Sequence, residues 1–211
     1  PWWISEMGAS ETITETFTGR TDAGGAHYLR LDFNKIMQPR PLSISAEATV
    51  MDVNRQAWTA TTSLLVHPAD FYVGLRSERY FVNRGDPLKV DFIVTDLDGK
   101  PVLDRPVEIR SALLQWKYQD GSWKETETDI QTCKKGSAQE PVACAFENLK
   151  GGRYRISAVV TDLQGRKNQS QIIRWVSGGE QPPSRKVEME AVTLIPDQEN
   201  YQPGDVAHVL V

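Results

Sequence analysis

Apolar and polar residues alternate with a period of two along most of this chain. Leu42, Ile44, Ala46, Ala48 and Val50 fall on one side of an extended run, with Ser43, Ser45, Glu47 and Thr49 on the other. Leu88, Val90, Phe92 and Val94 repeat the pattern, and helical periodicity is almost absent. Turn signals punctuate these runs at short spacing: TDAGG, DLDGKP, QDGS, LKGGR and DLQGR. The pattern predicts an all-β chain of sandwich type. From Asp70 to Ser177 the candidate strands are FYVGLRS, LKVDFIVT, RPVEIRSALLQWKY, SWKETETDI, VACAFENL, GRYRISAVVTD and KNQSQIIRWV. That strand number and length suit one immunoglobulin-like or fibronectin III-like sandwich, so 69–177 is predicted to be a complete domain.

One hairpin can be drawn residue by residue. Asp120-Gly121 supplies the positive φ values of a two-residue type I′ turn, which sets Tyr118 opposite Trp123. The aromatic pair reads as part of a surface hairpin or as a contact for a neighbouring domain.

The chain also repeats itself. Aligning ISAEATVMDVNRQAWTATTSLLVHP with ISAVVTDLQGRKNQSQIIRWVSG pairs Val50 with Val160, Asp52 with Asp162 and Val66 with Val176, each 110 positions apart. Further on, ENYQPGDVAHVLV echoes ERYFVNRGDPLKVDFIV, with Tyr201 falling 121 positions after Tyr80. Residues 1–68 therefore read as the back of one domain, 178–186 as a linker, and 187–211 as the opening of another. The expectation is a window cut from a longer tandem array. The linker carries Gly178, Gly179, Pro182 and Pro183, a composition that sets reach and angle and marks a candidate hinge.

Charge narrows the function classes. With 24 basic and 28 acidic residues spread along 211 positions, the chain lacks the basic stripe that nucleic acid requires. No apolar run approaches the roughly 20 residues of a membrane span, and PWWISEMG has neither part of a signal peptide. Cys133 and Cys144 bracket CKKGSAQEPVAC, a spacing wrong for a CxxC redox or zinc pair and suited to a short disulfide loop. Two free thiols are the alternative; an oxidised pair implies a periplasmic or extracellular protein.

Candidate chemistry is sparse. Arg84-Gly85-Asp86 spells an adhesion tripeptide but sits where a turn is due. Asn168-Gln169-Ser170 fits a glycosylation sequon. Asp96 and Asp98 suggest a calcium loop but lack its further carboxylates, which favours a hairpin turn. His27, His67 and His208 are scattered, and no HExxH, GxSxG or phosphate-binding glycine loop occurs. Neither an enzyme nor a cofactor is expected.

The run ATVMDVNRQAWTATTSLLVHPADFYVGLRSERYFVNRGDPLKVDFIVTDLDGKPV, with GRKNQSQIIRWVSGG and VTLIPDQENYQPGDVAHVLV, resembles bacterial alpha-2-macroglobulins from about Gly19 to Val211. The resemblance implies tandem macroglobulin-like sandwiches leading into the bait-region part of a large extracytoplasmic protease trap. It implies as partners the neighbouring domains of the same protein and, through the whole protein, target proteases. The thioester of many members needs a Cys three residues before a Gln. Here Gly178-Gly179-Glu180-Gln181 has Gly178 at the thiol position, so this stretch reads as linker. The function expected from the resemblance is a structural scaffold in such an inhibitor, with Tyr80, Tyr201, Trp58 and Trp175 as structural residues. The alternative is a tandem-sandwich adhesin or carbohydrate-binding module, for which Trp2, Trp3, Trp116 and Trp123 are candidate sugar platforms.

Overall fold

The computed structural model describes residues 14–31, 39–147, 150–178 and 194–210. Contacts divide the chain into two units, Pro1–Lys35 and Ile36–Val211. In the described part of the first unit Asp22 closes a tight turn: its Oδ1 accepts the N–H groups of Gly24 and Ala26.

The second unit is built from strands alone among its described residues. They are β1 (Leu42–Met51), β2 (Ala57–Val66), β3 (Phe71–Arg76), β4 (Phe81–Val82), β5 (Leu88–Asp96), β6 (Pro106–Gln119), β7 (Ser122–Gly136), β8 (Val142–Phe146), β9 (Gly152–Thr161), β10 (Lys167–Val176), β11 (Ile195–Pro196) and β12 (Val209–Leu210). All seven strands predicted between Asp70 and Ser177 form. The short β4 was not anticipated, and β7 runs on through Cys133 to Gly136.

A three-stranded sheet, β3-β5-β8, faces a five-stranded sheet, β4-β10-β9-β6-β7. Every pairing is antiparallel except β4 with β10. Alternate residues of each strand turn inward. Val73, Leu88, Val90, Phe92 and Val94 from one sheet meet Val107, Ile109, Leu113, Ile156, Ala158, Val160 and Val176 from the other in one buried core. Removing each of the Val, Leu, Ile and Phe side chains from water contributes on the order of 1.5–3 kcal/mol.

Both open sides of this sandwich are closed by side chains that stand in for a missing strand. On one side Asn168 of β10 accepts the Val73 N–H at 3.0 Å, while the Ser170 hydroxyl donates to the Val73 carbonyl. On the other, three residues at alternate positions of β7 reach β8 and its flank. Gln131 exchanges two bonds with the Glu147 backbone, at 2.6 and 3.0 Å. Cys133 is bonded to Cys144, and Lys135 donates to the Ala143 carbonyl at 2.6 Å. These contacts satisfy backbone groups that a bare sheet edge would expose.

The same turn recurs at Asp22, Asp52, Asp96 and Asp162. In each, the Asp N–H donates to the carbonyl four residues on, and the residue three on donates to the Asp carbonyl. The Asp Oδ1 collects two further N–H groups. The geometry demands a left-handed residue at the fourth position. Gly25, Gly99 and Gly165 supply it, while Arg55 adopts it at φ 65° despite its side chain. The predicted Asp120-Gly121 turn also forms, with φ of 51° and 77°, and sets Tyr118 edge-on to Trp123 at 5.5 Å between ring centroids.

Candidate interaction surfaces

The apolar side of β1 and β2 is the first candidate. Their register places Leu42 opposite Val66, Ile44 opposite Leu64, Ala46 opposite Thr62, Ala48 opposite Ala60 and Val50 opposite Trp58. Residues directly opposite share a face, so nine of these ten are apolar and lie together. Among the described residues nothing covers its turn end: Val50 is 52% exposed and Trp58 70%. The other face, including Ser43, Ser45, Glu47, Thr59, Thr61 and Ser63, is polar, and Thr49 and Thr59 hydroxyls meet across it at 2.9 Å.

Where the chain passes from this hairpin into the sandwich, the β9–β10 turn is tied to Asp70 at the start of β3. Asp162, at the β9–β10 turn, is buried, with Oδ1 committed to the N–H groups of Gln164 and Arg166. Its Oδ2 accepts the Asp70 N–H at 3.1 Å and Arg166 Nε at 2.7 Å. Arg166 also bridges to the Asp70 carboxylate. Burial pushes the Asp162 pKa up, but the donors from Asp70, Arg166 and Gln164 outweigh it and hold the carboxyl below its ordinary value. Two contacts anchor the start of the hairpin: Gln169 N–H donates to the Pro39 carbonyl at 2.7 Å, and Arg40 donates to Gln171 at 3.0 Å. His67 Nδ1 lies 2.7 Å from the Tyr72 hydroxyl, tying the residue before Pro68 to β3.

At the opposite end, Ser177 N–H donates to the Val82 carbonyl, and the Ser177 hydroxyl accepts the Arg84 N–H at 3.2 Å. Gly178 follows at φ 76° with open space around it. Asp197 returns to this region, its carbonyl accepting the Tyr80 N–H at 2.9 Å. Its carboxylate accepts the Tyr201 hydroxyl at 2.7 Å and the His208 N–H, and the Tyr201 bond foremost lowers its pKa. Tyr80 also lies under the Arg174 guanidinium, 4.9 Å from its ring centroid.

The outer face of the five-stranded sheet carries an ion-pair network. Glu127 bonds Arg110 and Arg155, and Glu125 bonds Arg155 and Arg153. Burial raises the Glu127 pKa, yet the Arg110 and Arg155 bonds prevail and lower it. Beyond the network, an open groove of about 630 Å³ lies among Trp116, Trp123 and Trp175.

The predicted site residues divide sharply. Cys133 and Cys144 form the disulfide. Gly178 ends the described sandwich, while Gly179, Pro182 and Pro183, like Trp2 and Trp3, lie outside the described residues. Arg84-Gly85-Asp86 is a turn, closed by Asp86 N–H on the Asn83 carbonyl with Gly85 at φ 93°. Asp96 and Asp98 belong to one of the four recurrent Asp turns, and no group of metal-ligating side chains occurs among the described residues. The sequon reading is overturned: Asn168 is buried, with its amide oxygen on Val73, so the side chain is structural.

Sequence reasoning missed Tyr154. It is fully buried on β9, and its hydroxyl donates to the Lys150 carbonyl at 3.0 Å and lies 3.2 Å from Asp129 Oδ2. This is the tyrosine corner of immunoglobulin-like sandwiches, a Tyr near a strand start bonded to backbone a few residues upstream. Burial and the adjacent Asp129 charge push its pKa up to about 12. The signal was present in KGGRYRI, where two glycines precede a Tyr in an alternating run.

Trypsin-activated alpha-2-macroglobulin from Escherichia coli shares this fold across 95% of the chain and 15% of its own, with a TM-score of 0.52 and 19% identity. The fold is that of macroglobulin-like β-sandwiches. Salmonella alpha-2-macroglobulin reacted with methylamine aligns over 89% of the chain and 13% of its own, at a TM-score of 0.46 and 19% identity. In sequence, circularly permutated Ras protein 2 of Dictyostelium discoideum is 30% identical over 105 residues, 45% of this chain and 3% of that protein. The chain spans a small part of each of these three proteins. No protein-family profile matches it. No helix among the described residues is long and apolar enough to cross a membrane.

Proposed function

We propose that this chain is a noncatalytic structural segment of a bacterial alpha-2-macroglobulin, holding tandem macroglobulin-like modules in a fixed arrangement within a protease-trapping protein. The observation that carries this reading is the repeated hairpin. Every partner pair of β1 and β2 recurs 110 positions later in β9 and β10, from Leu42 opposite Val66 and Gly152 opposite Val176 to Met51 opposite Ala57 and Thr161 opposite Lys167. The same Asp turn closes both. A bare copy of the hairpin that completes one sandwich is what the closing strands of a second sandwich look like.

The bonds from Pro39 and Arg40 to β10 and from His67 to Tyr72 support the same reading, since they tie the first hairpin to the complete sandwich. In a protein that changes shape after proteolysis, such a joint transmits displacement, and the linker 178–186 is the hinge. The disulfide and the resemblance support a periplasmic or extracellular site.

Two measurements test the proposal. Incubated with trypsin, the isolated chain should leave activity on a protein substrate unchanged, with 69–177 surviving digestion. The native gene product should instead change mobility on a native gel after limited cleavage, and lose trypsin activity on protein substrates while small substrates are still cut. Inhibition by the isolated chain, or a native product that neither shifts nor inhibits, overturns it.

A further inference from the structure

The five-stranded sheet does not end level. The pairing of β9 with β6 stops at Leu114 opposite Arg153, while β6 runs on to Gln119 with β7 as its one partner strand among the described residues. Strands β6 and β10 are both antiparallel to β9 and hence parallel to each other, so β10 delivers the chain in the direction in which this overhang points. Gly178, just past the end of β10, lines the same groove as Trp116 and Trp123. Two strand spacings put β10 about 10 Å from β6.

Register also fixes which side chains share a face. Residues directly opposite, and residues two apart on one strand, lie on the same side, which groups Leu114, Trp116 and Tyr118 of β6 with Trp123 of β7 and Trp175 of β10. Tyr154 and Ile156 of β9 point into the core from the other side, so this face is the outer one. Leu114 is buried, while Trp116 is 43% exposed, Tyr118 59% and Trp123 38%. Arg153, in the same row as Leu114 and Trp175, is paired with Glu125. What this row presents to a partner is therefore aromatic and aliphatic surface beside a matched ion pair.

The described chain leaves the sandwich at Gly178 and resumes at Leu194, and the residues directly after Gly178 read Gly-Glu-Gln-Pro-Pro-Ser-Arg-Lys. Consecutive prolines favour a polyproline helix that has little entropy left to lose, and such segments dock in aromatic-lined grooves. At that helix's rise Pro183 can reach about 16 Å from Gly178, which matches the rise of about 17 Å from Leu114 to Gln119 along the overhang. We propose that this aromatic face docks the chain's own segment 179–186, with Pro182 and Pro183 packed on Trp116 and Trp123. Attachment at Gly178 gives the segment a high effective concentration at the groove. The contact gives the hinge of the scaffold reading a resting position. It can fail while the protease-trap reading stands, because its test needs the isolated chain alone.

The test places a bimane fluorophore, which contact with indole quenches, on the thiol of Gln181→Cys. Cys133 and Cys144 are bonded to each other, so the label goes to the new thiol. Expected is an emission that rises at least about threefold when Trp116→Phe and Trp123→Phe remove the indoles, and that Trp58→Phe leaves unchanged. Pro182→Gly with Pro183→Gly, outside the sandwich, raises the emission as well and leaves the melting temperature where it was. Trypsin reads the same contact without a label. Cutting after Arg185 or Lys186 proceeds through the undocked form, so the Pro182→Gly, Pro183→Gly chain is cut about tenfold faster than the native one. Emission indifferent to the loss of both indoles, or a native chain cut as fast as the proline variant, overturns the proposal. Quenching that deepens with protein concentration also overturns it, because the face then belongs to a second copy of the chain.

Discussion

The hairpins β1–β2 and β9–β10 have the same length, the same register and the same turn, yet one lies at the heart of the core and the other stands bare. Val160 is wholly buried under the three-stranded sheet, while its counterpart Val50 is 52% exposed. At the next cross-strand position Asn168 fastens two sheets together, whereas Trp58 projects from the surface. The turns differ in the same way. Asp52 satisfies only its own loop, but Asp162 adds a second oxygen's worth of bonds to Asp70 and Arg166. A hairpin can therefore be specified locally by turn chemistry and alternation, while its energetic weight depends on what is laid across it.

The contrast can be broken most violently at matched positions. Val160→Asp places a charge in the sealed core and should cost about 4 kcal/mol or more, enough to unfold the sandwich. Val50→Asp, at the same place in the bare hairpin, should move stability by less than about 0.5 kcal/mol. Calorimetric melting of the two variants checks both. If Val50→Asp is equally disruptive, the first hairpin is covered in solution and the contrast between the two is lost.

Removing the disulfide is the next largest perturbation. Cys133→Ala with Cys144→Ala reopens the β7–β8 side and should lower the sandwich by just under about 3 kcal/mol, on loop entropy alone. Gln131 and Lys135 still bridge that side, so folding should survive. Denaturant titration under oxidising conditions measures the loss.

Alkaline titration sharpens the comparison through Tyr154, which has a counterpart in Ile44 and so acts in one hairpin only. Its folded pKa, about 12, exceeds the unfolded value of about 10, so the fold favours the neutral phenol. That stabilisation is complete below a pH of about 10 and is lost as pH rises towards about 12, amounting to about 2 to 3 kcal/mol. In Tyr154→Phe this alkaline slope should vanish from the stability profile, at a cost in neutral solution of about 1 kcal/mol or more for the hydrogen bonds given up.

The smallest effect separates the two turns. Asp162→Ala should destabilise by about 1 to 3 kcal/mol, and Asp52→Ala by less than about 1 kcal/mol, because only the former leaves buried donors unmatched. Asp162 has a depressed folded pKa, so its contribution is present above about pH 4 and disappears as pH falls through the folded value. The Asp162→Ala variant should accordingly lose part of the wild-type dependence on acid, which a melting series from neutral to strongly acidic pH would reveal.

Much of the fold was legible because β structure writes itself in alternation and in turn residues. The Asp120-Gly121 turn, the facing of Tyr118 and Trp123, the seven strands and the 110-residue repeat all depend on chemistry within a few positions or on comparing one stretch with another. The edge closures were not legible. Nothing in a lone Gln131, Asn168 or Ser170 says that its side chain will serve as a substitute strand, since each depends on a backbone far away in sequence. Asn168 was instead read as a sequon, a motif defined without reference to burial. The groove escaped notice for a similar reason: Trp175 comes together with Trp116 and Trp123 only once β10 and β6 flank β9.

By itself the amino-acid sequence determined strands, turns and their order, because φ preferences at Gly and Asp and a two-residue hydrophobic period act over short distances. It also determined that two hairpins would be twins. Tertiary structure alone decided that one twin is buried, that the Cys133–Cys144 bond runs from one sheet to the other, and that Tyr154, Asp162 and Asn168 carry the seams. The reason is that desolvation and long-range hydrogen bonding exist only between segments that the folded chain has already brought face to face.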